Sequence, residues 1–279
     1  MASHKASYSS LLLVAPAVLV FAGLYAWPLL SMLASSFMEP HAFNFASYKR
    51  FLFDSYHLMT LARTLFFGAC VTVITLLCGF PLAFLLARLE SRWAPILLMI
   101  TTFPLWVSAI VRSFGWMVLF HRNGLISNSL QSIGLVDEPV QLMYTLTGVI
   151  IALAQVLLPL MVLTLYPVIR GIDRDLENAA MNLGATPSLA VWLLTLRLAR
   201  NGIAAGSLLV FAISISAFAT PSLVGGARVQ LMATAIYEQT LELLDWPFAS
   251  AISAIVLLIA LIVVGLYMRI VQDHEVPVR

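Results

Sequence analysis

The stretch RGIDRDLENAAMNLGATPSLAVWLLTLRLAR, residues Arg170–Arg200, is the one long charged interruption in an otherwise apolar chain, and its reading decides the fold. Asp173 fits an N-cap, and Asp175 and Glu177 follow in the first turn, where carboxylates meet the positive end of a helix. Leu176, Ala179, Ala180 and Leu183 recur at helical spacing and form one narrow apolar face. Arg174, Glu177, Asn178 and Met181 or Asn182 lie on the other. Gly184 suits the position just past the helix, where glycine takes positive φ without a Cβ clash. Thr186-Pro187 then reads as an N-cap and first-turn pair opening a second helix through Trp192 and Leu196. Two uses of this helix–glycine–helix module are open. It is either an interfacial hairpin that joins two spans or a helix presented to a partner groove, its small residues permitting close backbone approach.

Around that module the chain is greasy. Its 279 residues are 61% apolar and 10% charged, with a mean hydropathy of +0.98, whereas soluble domains carry about 25% charged residues. It reads as an integral membrane protein. A hydrocarbon core about 30 Å thick needs roughly 20 apolar residues in a helix, and six runs meet that need. They are 10–36, 60–87, 93–120, 142–169, 202–225 and 248–271. The runs are continuous rather than alternating, so helices carry them. The expected fold class is all-α transmembrane, a six-helix polytopic bundle forming one domain over 1–279, with the polar loop 170–200 between the fourth and fifth spans. The polar start with its apolar run superficially resembles a secretory signal. That run continues to Phe37 with Pro16 and Pro28 inside it, longer than a signal's apolar core of about 7–15 residues, so an uncleaved first span is expected.

Charge placement gives orientation. With the N-terminus inside, Lys5, Arg88, Arg92, Arg170, Arg174, Arg197, Arg200, Arg269 and Arg279 fall on the inner side. Lys49, Arg50, Arg63, Arg112, Arg122 and Arg228 fall outside, nine against six. Both termini and the polar module are therefore expected in the cytoplasm. A net charge of +2 spread along the chain does not imply nucleic acid. No segment is long enough for an enzyme module, and no phosphate-binding loop, H-E-x-x-H or G-x-S-x-G motif occurs, so no catalytic or metal-binding residues are assigned. Cys70 and Cys78 lie too far apart along one helix to bridge.

The loops and spans offer further candidates. Phe43, Phe45, Tyr48, Phe51, Phe53 and Tyr56 suit an aromatic belt at the headgroups. Residues 121–141, with Leu125, Ile126, Leu130, Ile133 and Leu135, suit a short amphipathic surface helix. Arg112 is the one charge well inside an expected span, flanked by Trp106, Phe114 and Trp116, and intramembrane charge is costly enough to mark a functional candidate. Snorkelling outward or pairing with Asp137 or Glu138 is the alternative. Pro81, Pro104, Pro159, Pro167 and Pro221 remove backbone hydrogen bonds, and Pro221 followed by Gly225-Gly226 is a gate candidate or a plain turn. Apart from Arg112 the spans hold almost no ionisable groups, which argues against an ion-coupled secondary transporter. A membrane scaffold recruiting a cytoplasmic partner is the other alternative.

The polar module resembles the cytoplasmic loop of permease subunits of bacterial ATP-binding-cassette importers, whose signature is Glu-Ala-Ala, three residues, Gly, nine residues and Ile-x-Leu-Pro. Asn178-Ala179-Ala180 and Gly184 match the first part in spacing, and Leu194-Thr195-Leu196-Arg197 the last. Asn178 stands where the glutamate is expected, directly after Glu177, and Arg197 replaces the proline. Residues 79–84 (GFPLAF) with Leu86-Ala87-Arg88, residues 103–106 (FPLW) with Ser108, 111–116 (VRSFGW), 124–126 (GLI), 158–161 (LPLM), 221–226 (PSLVGG), and 245–247 (DWP) with Ser250-Ala251 are similar to the polyamine (spermidine/putrescine) permease group.

The resemblance implies a type I importer permease fold in a bacterial inner membrane. It implies partnership with a second permease, two ATPase subunits and an external substrate-binding protein. ATP and Mg are used by the partner ATPase, and no cofactor is bound by this chain. ATPase coupling would fall to Glu177, Asn178, Ala179, Ala180, Gly184 and Ala185. Candidate residues of the substrate pathway are Trp106, Arg112, Trp116, Pro221, Tyr237 and Asp245. Aromatic faces such as Trp116 or Tyr237 can hold ammonium groups, and Asp245 with Glu238 and Glu242 offers negative charge at the outer mouth.

Overall fold

Apolar sequence in lipid satisfies its peptide groups by coiling, and this chain coils almost throughout. The computed structural model describes residues 16, 18–39, 42–89, 93–186, 189 and 191–272. Its helices are α1 (Val18–Ser35), α2 (Ala46–Phe53), α3 (Ser55–Arg88), α4 (Trp93–Thr102), α5 (Ala109–Phe120), α6 (Leu125–Ser132), α7 (Leu146–Arg170), α8 (Arg174–Asn182), α9 (Arg200–Ser216), α10 (Met232–Tyr237) and α11 (Trp246–Gln272). A hairpin of two-residue strands, β1 (Met38–Glu39) and β2 (Ala42–Phe43), is the sole extended pairing among the described residues. The all-α class holds.

Among the described residues, four helical stretches are long and apolar enough to cross a membrane: α1, α3, α7 and Trp246–Tyr267 of α11. Two bent pairs are so when each is taken as one span, Trp93–Trp106 with Ala109–Ser132 at 93°, and Arg200–Ser216 with Pro221–Arg228 at 53°. The third and fifth expected spans are thus broken rather than continuous. In the third, a 3-10 turn over Phe103–Trp106 contains Pro104 and is followed by extended backbone at Val107 (φ −85°, ψ 134°). In the fifth, Ala217 is extended (φ −65°, ψ 128°), and Pro221 opens a π-helical turn through Gly225. Proline cannot donate into the preceding turn, so both breaks lie beside one. Residues 10–15 of the first expected span, Lys5, Arg92, Pro187 and the two chain ends lie outside the described residues.

The chain divides into two compact units, Met1–Leu58 with Ala235–Leu258 and Met59–Thr234 with Ile259–Arg279. In the second unit the core surrounds α7, whose Met161, Val162, Leu165 and Ile169 are fully buried together with Phe67 and Val71 of α3. Close approach of helices in lipid relies on small residues. A Cβ on Gly79 of α3 would lie 2.9 Å from Met161, and one on Gly206 of α9 would lie 2.8 Å from it, so both helices seat on α7 through glycine. Thr145 starts α7 by accepting a 3.1 Å hydrogen bond from the Gly148 amide. The helix expected in 121–141 forms only over α6, with Leu125, Ile133 and Leu135 exposed.

In the first unit Ser35 donates to Ser250 (2.9 Å), and the hydroxyls of Ser36 and Tyr48 lie 2.7 Å apart. Of the aromatic residues in this stretch, Phe45, Phe53 and Tyr56 are exposed. Phe51 is instead fully buried, its ring 5.8 Å from that of His57.

Candidate functional site

The polar module folds as its local chemistry dictates. Asp173 caps α8 by accepting a 3.0 Å hydrogen bond from the Asp175 amide. At the other end Gly184 takes φ +95°. Its amide donates to the Met181 carbonyl (2.9 Å) and that of Ala185 to Ala180 (3.1 Å), the paired bonds of a Schellman motif. Thr186 accepts from the Leu189 amide at 3.4 Å, as an N-cap should. The chain re-enters helix through a π turn, Val191–Thr195, and Leu196–Leu198 before α9.

The amphipathic face is turned the unusual way round. No residue of α8 is buried. Leu183 is 91% exposed, and Leu176, Asn178, Ala179, Met181 and Gly184 are also exposed. Ala180 and Ala185 are half-buried. Glu177, expected on the outer polar face, points inward instead. One of its carboxylate oxygens accepts from Arg88 Nη2 and from Thr195 Oγ1 (2.6 Å). The Arg88 and Glu177 side chains are each 14% exposed, and Thr195 is fully buried. Arg88 Nη1 also donates to the Ile172 carbonyl (3.0 Å), and Arg174 donates back to the Arg88 carbonyl. In the sequence Arg88 stands out only as an inner-side charge within a family-like stretch, and Thr195 only as part of the signature spacing, with nothing to pair either with Glu177.

A second set of candidates lines the break in the third crossing. Arg112 Nη1 donates to the Pro104 carbonyl, which also accepts from the Val107 amide (3.3 Å), while the Arg112 Nε is buried without a hydrogen-bond partner. Neither Asp137 nor Glu138 pairs with it among the described residues. Arg112, Trp116, Gly115, Phe103 and Gln155 border a cavity of about 350 Å³. A neighbouring apolar cavity of about 420 Å³ shares Pro104 and Gln155 with it. Gln155 is the single amide side chain in α7 and is exposed, a signal available in the sequence as a lone amide in a greasy run.

The remaining candidates stand differently. Trp116 packs its ring, tilted by 31°, against that of Phe120 (centroids 4.7 Å apart), whereas Trp106 is 86% exposed and borders neither cavity. Pro221 is buried, and its π turn packs on α5 and α7. Tyr237 and Asp245 belong to the first unit. Asp245 is occupied there, bonded to Arg50 (2.8 Å) and capping α11 through the Phe248 amide (3.2 Å).

Residues 79–274 match the family model described as binding-protein-dependent transport system inner membrane component. The chain belongs to this family. It is a permease subunit of ATP-binding-cassette importers, a transport component of the inner membrane rather than an enzyme. It is 32% identical over 247 residues to the spermidine/putrescine transport system permease protein PotB of Haemophilus influenzae, covering 86% of each chain. Identity is also 32% to PotB of Escherichia coli K12, over 81% of this chain and 82% of that one. The molybdenum transport system permease protein ModB of Mycobacterium bovis is 30% identical over 72% of this chain and 75% of its own. Among solved structures, a bacterial transporter involved in import of the acidic polysaccharide alginate superposes with a TM-score of 0.80 at 15% identity, over 98% of both chains. That likeness establishes the permease fold.

Proposed function

We propose that this permease forms half of the membrane path of an ATP-driven importer for polyamines or similar small polar solutes, and that α8 carries the motion of a cytoplasmic ATPase into the spans. The observation that carries the reading is α8 itself. A nine-residue helix capped at both ends, with no buried apolar side chain and Leu183 turned outward, fills no core and offers a surface. In this reading the module and both termini are cytoplasmic. Two ATPase subunits dock from that side and use ATP and Mg, a second permease completes the path, and an external binding protein delivers solute. This chain binds no cofactor. The permease is the bistable element, biased between inward and outward states by its partners. The polyamine assignment is supported by relatives named for spermidine and putrescine transport at 32% identity over most of both chains.

The test is to co-express the permease with its neighbouring gene products, purify it, and reconstitute it in liposomes. An ATPase and a second permease co-purify, and spermidine or putrescine enters only with ATP and the loaded binding protein. A stable ATPase-free monomer, or uptake driven by an ion gradient alone, overturns the reading. A small anion is the second reading, favoured by the Arg112 guanidinium beside the 350 Å³ cavity. Uptake of molybdate in place of polyamine in the same liposomes selects it.

A further inference from the structure

We propose that Arg88 and Thr195 are positioning residues that, through Glu177, tie α8 to the ends of the second and fifth crossings, so that a displacement of α8 moves both together. This rests on the reading of α8 as the helix that meets the ATPase.

None of the apolar side chains of α8 is buried, so apolar packing does little to fix its place, and its caps fix only its shape. What fixes its place is polar. Glu177 Oε1 accepts at once from Arg88, the last residue of α3, and from Thr195, in the turn that leads to α9. The same guanidinium grips the Ile172 carbonyl, just beyond the end of α7, and Arg174 closes the ring onto the Arg88 carbonyl. Four places in the fold therefore meet at one carboxylate and one guanidinium. The pair is largely shielded from water, so salt screens it far less than an exposed ion pair. Arg88 serves two acceptors from two nitrogens, a fork that lysine does not reproduce.

The experiment uses the whole importer in liposomes, with solute imported per ATP hydrolysed as the readout. R88Q and T195V each lower that ratio about fivefold or more, the size of an ordinary coupling between sites. Because the two residues act through one carboxylate, the double variant is little worse than R88Q alone, and R88K recovers only part of the loss. T195V changes no charge and almost no volume, so it reports on the node even where R88Q folds poorly. An unchanged ratio in T195V, losses that multiply in the double variant, or full recovery by R88K overturns the proposal. So does loss of the ATPase from purified T195V importer, which would make the node mere adhesive for the loop. If the unaltered permease retains no ATPase, the underlying reading of α8 fails first, and the inference falls with it.

Discussion

Replacing Gly184 by valine tests the caps of α8 in isolation from packing. Gly184 sits at φ +95°, and a Cβ built there meets nothing within 4 Å, so the penalty is conformational and not steric contact with a neighbour. Holding an L-residue in the left-handed region costs about 1–2 kcal/mol, with a β-branched residue at the upper end. A shift of that size changes a two-state ratio roughly 5- to 30-fold. The helix cannot absorb it, because α8 has nine residues and isolated helices shorter than about 12–15 are marginal in water. When the Schellman motif opens, the bonds from the Gly184 and Ala185 amides go together. The assay is ATPase activity stimulated by the loaded binding protein, alongside solute uptake, in reconstituted liposomes. Both fall in the order Gly, Asn, Ala, Val, since asparagine tolerates positive φ better than alanine. Membrane insertion is unaffected, because the caps lie outside the spans. A G184V importer with unaltered stimulated ATPase activity would refute the reasoning.

Two further outcomes follow from packing and capping. G206V places side-chain carbon into the space of Met161, where even a Cβ comes within 2.8 Å, and this overpacking lowers stability by about 1–3 kcal/mol, read as a drop in the detergent-solubilised unfolding midpoint. D245A removes the cap of α11 and costs about 0.5–2 kcal/mol, while D245N keeps an acceptor for the Phe248 amide and loses much less; equal midpoints for the two variants would contradict the capping role.

What the sequence made legible was what is local or averaged. Asp173, Gly184 and Thr186 were readable as caps because each acts on a peptide group within a few residues. The crossings were readable because hydropathy sums over a whole helix. The breaks in the third and fifth were announced by Pro104 and Pro221, yet the extended backbone at Val107 and Ala217 depends on what those turns pack against. Contacts between distant residues were out of reach. Arg88 is 89 residues from Glu177, and Thr195 is 18 away. Without them the helical wheel of α8 gave no reason to turn its carboxylate inward. Pairing of Arg112 with Asp137 or Glu138 was one alternative, and its guanidinium instead donates to the Pro104 carbonyl at the break, a partner that no residue type announces.

The inverted polarity of α8 connects these points. A helix at a water-facing surface turns its leucines in and its charges out. Here Glu177 and Arg174 turn in and Leu183 turns out, forgoing roughly the 1.5–3 kcal/mol that burying a leucine contributes. Under the proposed docking role, apolar anchoring of α8 would spend its apolar face inside the permease and leave nothing for a partner. Anchoring by an ion pair leaves that face free. In that proposal Asn178, which stands where the signature has glutamate, belongs to the exposed face, while the neighbouring Glu177 holds the anchoring bonds.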